Sequence, residues 1–265
     1  MAKSPSITIS DIERFQRAVV DGSAIEQQIV SGSCLSLAAA SELDCVLQQA
    51  QLKSVGNTVD ILLQTCPIWT LFRQMRESNA PCRLTAGSLA LIRIPLIYDE
   101  EWLNTEIPQL EAQLLRGRFS RHLAKSLTGA VFEMVDNVWN HSQTAETAVL
   151  AYQVGSRSFT FSVTDLGLGV LDTLKRNRRY AHLKTSIEAL EEAVKPNVSG
   201  KPDGSGLGLD QLTRSLANLW GRTRLRSGQG ALTFDRETDV PKRRHQFLPQ
   251  LSGFQISAIC RLSPP

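Results

Sequence analysis

The stretch Ala130-Val-Phe-Glu-Met-Val-Asp-Asn-Val-Trp-Asn-His-Ser142 constrains the fold of this chain more than any other. Glu133, Asn137 and His141 recur at intervals of four, and at about 3.6 residues per turn that interval stacks them on one face of an α-helix. Val131, Phe132, Met134, Val135, Val138 and Trp139 supply an apolar face for packing. The stretch therefore predicts a core helix with one polar stripe. By itself such a stripe is a solvated face; two glycine-rich segments further along the chain give it a second meaning.

These segments come in a fixed order. Asp165-x-Gly-x-Gly169 closes an alternating segment, Ser158–Thr164, which is expected to pair as a hairpin with Thr147–Val154 across Gly155-Ser-Arg157. Gly204-Ser-Gly-Leu-Gly-Leu209 is a glycine-rich loop that opens a helix expected from Leu207 to Trp220. Taken singly, the first is an ordinary turn and the second an ordinary connection. Together they suit one chemistry. A carboxylate at a strand end, Asp165, can accept a hydrogen bond from the exocyclic amine of adenine and repels the oxygen that guanine presents there. Gly167 and Gly169 leave bare backbone to lie against a flat ring. The loop Gly204, Ser205, Gly206, Leu207, Gly208, Leu209 offers glycine amides and the positive end of a helix to phosphate oxygens. It is not a P-loop, because no Gly-Lys-Ser/Thr comes after it, nor a dinucleotide turn, because no strand precedes it. Asn137 offers an amide oxygen to Mg²⁺ beside phosphate. Glu133, one turn earlier, suits a base for the group that attacks the γ-phosphate, and His141 a donor to the phosphates.

In this order the motifs resemble the Bergerat-type ATP site of the GHKL superfamily, which includes type II topoisomerases, heat-shock chaperones, mismatch-repair ATPases, histidine kinases and anti-sigma-factor serine kinases. Glu133, Asn137 and His141 are similar to its N box, Asp165–Gly169 to its first glycine box and Gly204–Leu209 to its second. The resemblance covers roughly residues 115–262. It implies a two-layer α/β sandwich, a mixed sheet with helices on one side, and ATP·Mg²⁺ held between them under a mobile lid of about residues 171–205. It further implies hydrolysis or γ-phosphate transfer that regulates a partner protein, or a nucleotide-gated binding switch with little turnover. ATP or ADP, Mg²⁺ and a regulatory protein are the expected ligands and partners, with room for a homodimer. The spacing Glu-x-x-x-Asn-x-x-x-His is similar to anti-sigma serine kinases and to orphan cytosolic ATP-binding proteins, and Ile187–Ala193 suits the orphan type. A sensor histidine kinase would need a phosphoacceptor on an upstream helical hairpin. His122 lies too close to the N box for that and reads as a surface or core-edge residue. Phe254 comes after Gly253 where many relatives carry threonine, a departure at one adenine contact.

Around this core the fold class is α/β (α+β), with residues 106–265 as the nucleotide domain and 1–105 as a smaller mixed α/β interaction or regulatory domain. The first part carries 8 Lys/Arg against 10 Asp/Glu over residues 1–100, the remainder 21 against 16. The net charge of +3 is too mild to require nucleic acid. In the first part, helices are expected over 8–30, Ser36–Leu52 and Pro67–Arg76, with strands at Thr58–Leu63 and Ser88–Ile97. Their alternation resembles STAS-type domains found beside such ATPases, though no motif in it carries chemistry. The acidic segment Tyr98–Glu106 reads as the boundary. Past the boundary a helical pattern runs from about Pro108 to Asn140, broken near Arg116–Ser120. After the hairpin come helices over Val170–Asn177 and Lys184–Val194. Three strands are expected around Thr223–Arg226, Ala231–Asp235 and Phe254–Leu262, with Lys242-Arg-Arg-His245 as a solvated loop. Five cysteines without paired spacing suit a reducing cytosol. No segment reads as a secretory signal or a membrane span, so a cytoplasmic protein is expected.

Overall fold

The computed structural model describes residues 6–21, 34–50, 53–78, 83–142, 148–198, 208–217, 219–238 and 240–264. The first part is mostly helical: β1 (Ser6–Ile7), α1 (Ile9–Asp21), β2 (Cys34–Leu35), α2 (Leu37–Ala50), α3 (Lys53–Leu62) and α4 (Pro67–Glu77). Thr8 starts α1, its amide and hydroxyl both donating to Asp11 Oδ2 at 2.7 Å, and Pro67 starts α4 at a position that needs no N–H. The strand expected at Thr58–Leu63 is helical instead. A strand would set Val59, Ile61 and Leu63 on one face, yet Val59 and Leu63 are buried while Ile61 is 65% exposed. The spacing of the two buried residues is the four-residue interval of a helix.

Two strands come next, β3 (Arg83–Ala86) and β4 (Leu89–Arg93), then α5 (Glu100–Arg116) and α6 (Arg121–Asn137). The acidic segment expected as a boundary is the first turns of α5: Asp99 Oδ1 accepts the Trp102 amide at 2.9 Å, and Glu100 and Glu101 complement the helix's positive end. Ser120 caps α6. The hairpin forms as expected from β5 (Val149–Gly155) and β6 (Ser158–Asp165). Then come α7 (Val170–Lys175), a 3₁₀ turn at Arg178–Tyr180, α8 (Ser186–Ala193) with its Thr185/Glu188 capping box, α9 (Gly208–Ala217), β7 (Trp220–Arg236) and β8 (Lys242–Arg261). The two strands expected within 223–235 are one strand, irregular at Ser227–Gly230. The basic Lys242–His245 is the start of β8, paired with Leu232–Asp235.

The six-stranded sheet has the order β3-β4-β5-β6-β8-β7, every neighbouring pair antiparallel. The mixed sheet that the resemblance implies is thus replaced by an antiparallel one. Helices also cover both faces. On β4, Ala90 and Ile92 join the core under α5, α6 and α9, while Leu89 and Leu91 join the core under α1, α2 and α4. On β5, Leu150 and Tyr152 face the first core and Val149 and Ala151 the second. The expected boundary near residue 105 falls inside α5, and β4, which precedes it, hydrogen bonds to β5, on its far side in the chain. Among the described residues no helix is long and apolar enough to cross a membrane.

Toward β7 the second core turns ionic. Arg224 meets Glu13 of α1 at 2.8 Å and Glu42 of α2 at 3.2 Å, and Arg226 lies 3.7 Å from Glu42. Arg226 is 1% exposed, and burial pulls its guanidinium down to about 10. Removing one partner of such a network leaves an uncompensated buried charge. Glu42→Ala is therefore expected to cost about 3–5 kcal/mol, read as a lowered urea midpoint at unchanged slope.

Candidate functional site

The end of α6 is where the chain departs from a regular helix. After Asn137 the backbone widens into a π turn over Val138–Ser142, a feature that often marks functional sites. Trp139 fixes this turn on its outer side. Its indole N–H donates to the Pro95 carbonyl at 2.9 Å, and its ring meets Tyr98 and Trp102 edge-on. On the inner side the Ser142 carbonyl accepts the Leu168 amide at 3.0 Å. The π turn and the Asp165–Gly169 turn are thereby sewn together.

Between them lies an open cavity lined by Asn137, His141, Ser142, Asp165 and Thr173 among apolar side chains, chiefly Met134, Leu168, Val170, Leu174, Leu209 and Phe254. Four of the residues singled out in the sequence, Asn137, His141, Asp165 and Leu209, meet here. Glu133 does not line the cavity; it sits half-buried one turn earlier, its carboxyl raised by burial and then by Asp136. Gly208 opens α9, whereas Gly204, Ser205, Gly206 and Leu207 lie outside the described residues. Met134, Val138, Val170 and Leu174 join the apolar walls without a motif of their own; the helical spacing of Met134 and Val138 with Asn137 and His141 is the signal that could have found two of them.

The two glycines of the turn pack closely against protein. A Cβ on Gly167 would stand 1.7 Å from the Ser142 carbonyl oxygen, and one on Gly169 would stand 2.9 Å from Ser227 Oγ. Both are bare against protein, and they line the next cavity along rather than this one. Gly253 is constrained twice over, at φ +75° and with its missing Cβ 2.0 Å from the Asp165 carbonyl oxygen.

Asp165 is the chemical centre of the cavity. It is 4% exposed, and Oδ1 accepts the Gly167 amide at 2.8 Å. Burial raises its carboxyl to about 7, against the pull of the Gly167 and Phe254 amides. On the opposite sheet face α2 packs against the same strand: Ser41 and Ser162 share a hydrogen bond of 2.5 Å, and the Thr164 hydroxyl bonds to Cys45. The described part of the expected lid, residues 171–198, has a small core of its own in Leu174, Tyr180, Leu183, Ala189 and Ala193. Its α8 is tied to β8 where Arg243 and His245 both meet Glu191.

Among the described residues no group of three or more His, Cys, Asp or Glu side chains is placed to hold a metal ion. The donor set at the cavity thus fits only a hard cation that arrives with most of its shell, Asn137 adding one amide oxygen. Comparisons with family models, curated proteins and solved structures return no match for this chain.

The raised carboxyl carries a sign. Asp165 holds its proton in the native state up to about 7 but releases it near 3.8 when unfolded. Its contribution to stability is full below 3.8 and is lost as pH rises through 7. Asp165→Asn removes that loss. The variant is expected to match the parent near pH 4 and to exceed it at pH 8 by a few kcal/mol, since each pKa unit is worth about 1.4 kcal/mol. Denaturation at the two pH values measures the gap; equal stability at pH 8 would contradict it.

Proposed function

We propose that the chain binds an adenine nucleotide with Mg²⁺ in the Asp165 cavity and turns it over, by hydrolysis or by transfer of the γ-phosphoryl group to a partner protein. The observation that carries this reading is a buried carboxylate opening into an apolar slot beside Asn137 and His141. A flat base with one exocyclic amine satisfies such a slot: Leu168, Val170, Leu174 and Phe254 cover the ring while Asp165 accepts from the amine. Guanine would set an acceptor oxygen against the carboxylate and is disfavoured. Asn137 would hold the cation that the phosphates bring, whose charge offsets that developing on the transferred group. His141 lies a turn further along the same wall as a donor to phosphate. The start of α9 at Gly208 brings a helix's positive end to the same side.

The hairpin ending on Asp165 and the helix ending on Asn137 support a Bergerat-type arrangement. The antiparallel sheet and its second helical cover are departures from that pattern. Glu133 has a raised carboxyl, which suits a base working near neutral pH. Its place outside the cavity lining favours a second reading, a nucleotide-gated binding switch in which turnover is incidental.

Calorimetry tests the site. ATP and ADP are expected to bind and GTP to bind at least tenfold more weakly, since a lost buried hydrogen bond to a charged group costs about 1.5–3 kcal/mol. Asp165→Asn, which is expected to fold more stably, should lose that preference. Parent affinity for ATP should rise between pH 6 and pH 8 as Asp165 ionises. Unchanged affinity in Asp165→Asn would overturn the assignment. Phosphate release separates the two readings: release that disappears in Glu133→Ala, with binding intact, makes Glu133 the base. Binding without release from either protein makes the chain a switch, or a kinase awaiting its acceptor.

A further inference from the structure

A second cavity, sharing no lining residue with the first, lies between the C-terminal half of α9 and the paired strands β7 and β8. Its volume is about 250 Å³. An apolar cavity of about 150 Å³ accommodates benzene, so this one has room for a pair of fused rings. The floor is apolar: Leu216, Leu219 and Cys260 are buried, and Phe234 packs beside them.

The mouth has the opposite character. Arg222, Arg236, Lys242 and Arg243 surround it, with Asp235 as the one carboxylate in the lining among the described residues. Some of that charge is spoken for. Arg222 meets Asp235 at 3.0 Å and Glu237 at 2.9 Å, and Arg243 meets Glu191. The guanidinium of Arg243 also lies 5.0 Å above the Phe234 ring, and that of Arg236 lies 5.6 Å above Trp220. Stacking of this kind holds both side chains in place before any ligand arrives. Lys242 differs: it is exposed, and among the described residues no carboxylate pairs with it. A neutral apolar molecule would fill the floor and leave this cationic rim unused, while inorganic phosphate would use the rim and leave the floor bare.

We propose that this cavity is a binding site for a small aromatic anion, a carboxylate or phosphate on a body of about one or two rings, with the rings on Leu216 and Phe234 and the charge beside Lys242. The proposal does not depend on the nucleotide reading, and a protein that binds no nucleotide serves equally well to test it.

The test is calorimetric titration of the full chain with 2-naphthoate, 2-naphthyl phosphate and neutral 2-naphthamide. Both anions are expected to bind once per chain, and the amide about tenfold more weakly, the weight of one charge-assisted hydrogen bond. The tighter of the two anions identifies the head group. Lys242→Glu, a change at an exposed position that leaves the core untouched, should weaken the anions by about tenfold or more and leave the amide unchanged. Thr213→Trp, which fills the slot from α9, should abolish all three. No saturable binding of either anion to the parent would overturn the proposal. So would parent-like anion affinity in Lys242→Glu, or an amide that binds as tightly as the anions.

Discussion

A sheet covered on both faces needs a second helical layer with something to hold, and on the β7 side of this molecule that hold is ionic. Glu13 and Glu42 come from helices in the first fifth of the chain; Arg224 and Arg226 come from a strand near its other end. Buried ion pairs of this kind add little net stability compared with apolar packing, but breaking one is costly and their geometry admits few alternatives. They fix where α1 and α2 sit. That position matters to the candidate site, because α2 lies directly behind β6 and Leu166 packs into the core that α2 helps to form. The layer that looks like a separate domain in the sequence is thus packed against the back of the strand that ends on Asp165.

The motifs are legible because each is local. A four-residue interval, an alternating hairpin and a strand-end carboxylate are set by backbone periods, and the structure brings Asn137, His141 and Asp165 into one cavity. Expectation and structure part where a tertiary partner decides the outcome. Nothing local to Thr223–Arg226 announces that Arg224 and Arg226 are buried; two glutamates over 180 residues away meet them. Thr58–Leu63 is β-branched at its start and reads as a strand; the helix wins because Val59 and Leu63 pack into the second core and Ile61 is left in solvent. Glycine poses a subtler difficulty. The sequence indicates where a Cβ is intolerable, but not whether a base or a backbone carbonyl occupies the space. At Gly167 it is the Ser142 carbonyl. Gly167 lets the turn after Asp165 close against the π turn.

The two cavities divide the helix α9 between them. Leu209, in its first turn, lines the cavity of Asp165, while Thr213 and Leu216 line the cavity with the basic mouth. Helices α6 and α9 pack side by side, so the residues that carry Asn137 and those that floor the second cavity belong to one continuous core.

The strand order has a consequence for how the molecule is made. Strand β8 comes after β7 in sequence but lies inside it in the sheet, between β7 and β6. Until residues 242–261 are available, β6 has an open edge and β7 has no neighbour. Six strands cannot then assemble outward from a finished middle; the middle closes last. Pairing of such long sequence separation slows folding, because loop-closure entropy is spent before the contacts repay it. During synthesis the chain must carry an exposed β6 edge, apolar on the side of Phe159, Phe161 and Val163, until its last strand emerges. The α5–α6 pair, complete long before β8, can cover that apolar side in the interval and leave only the edge itself to wait.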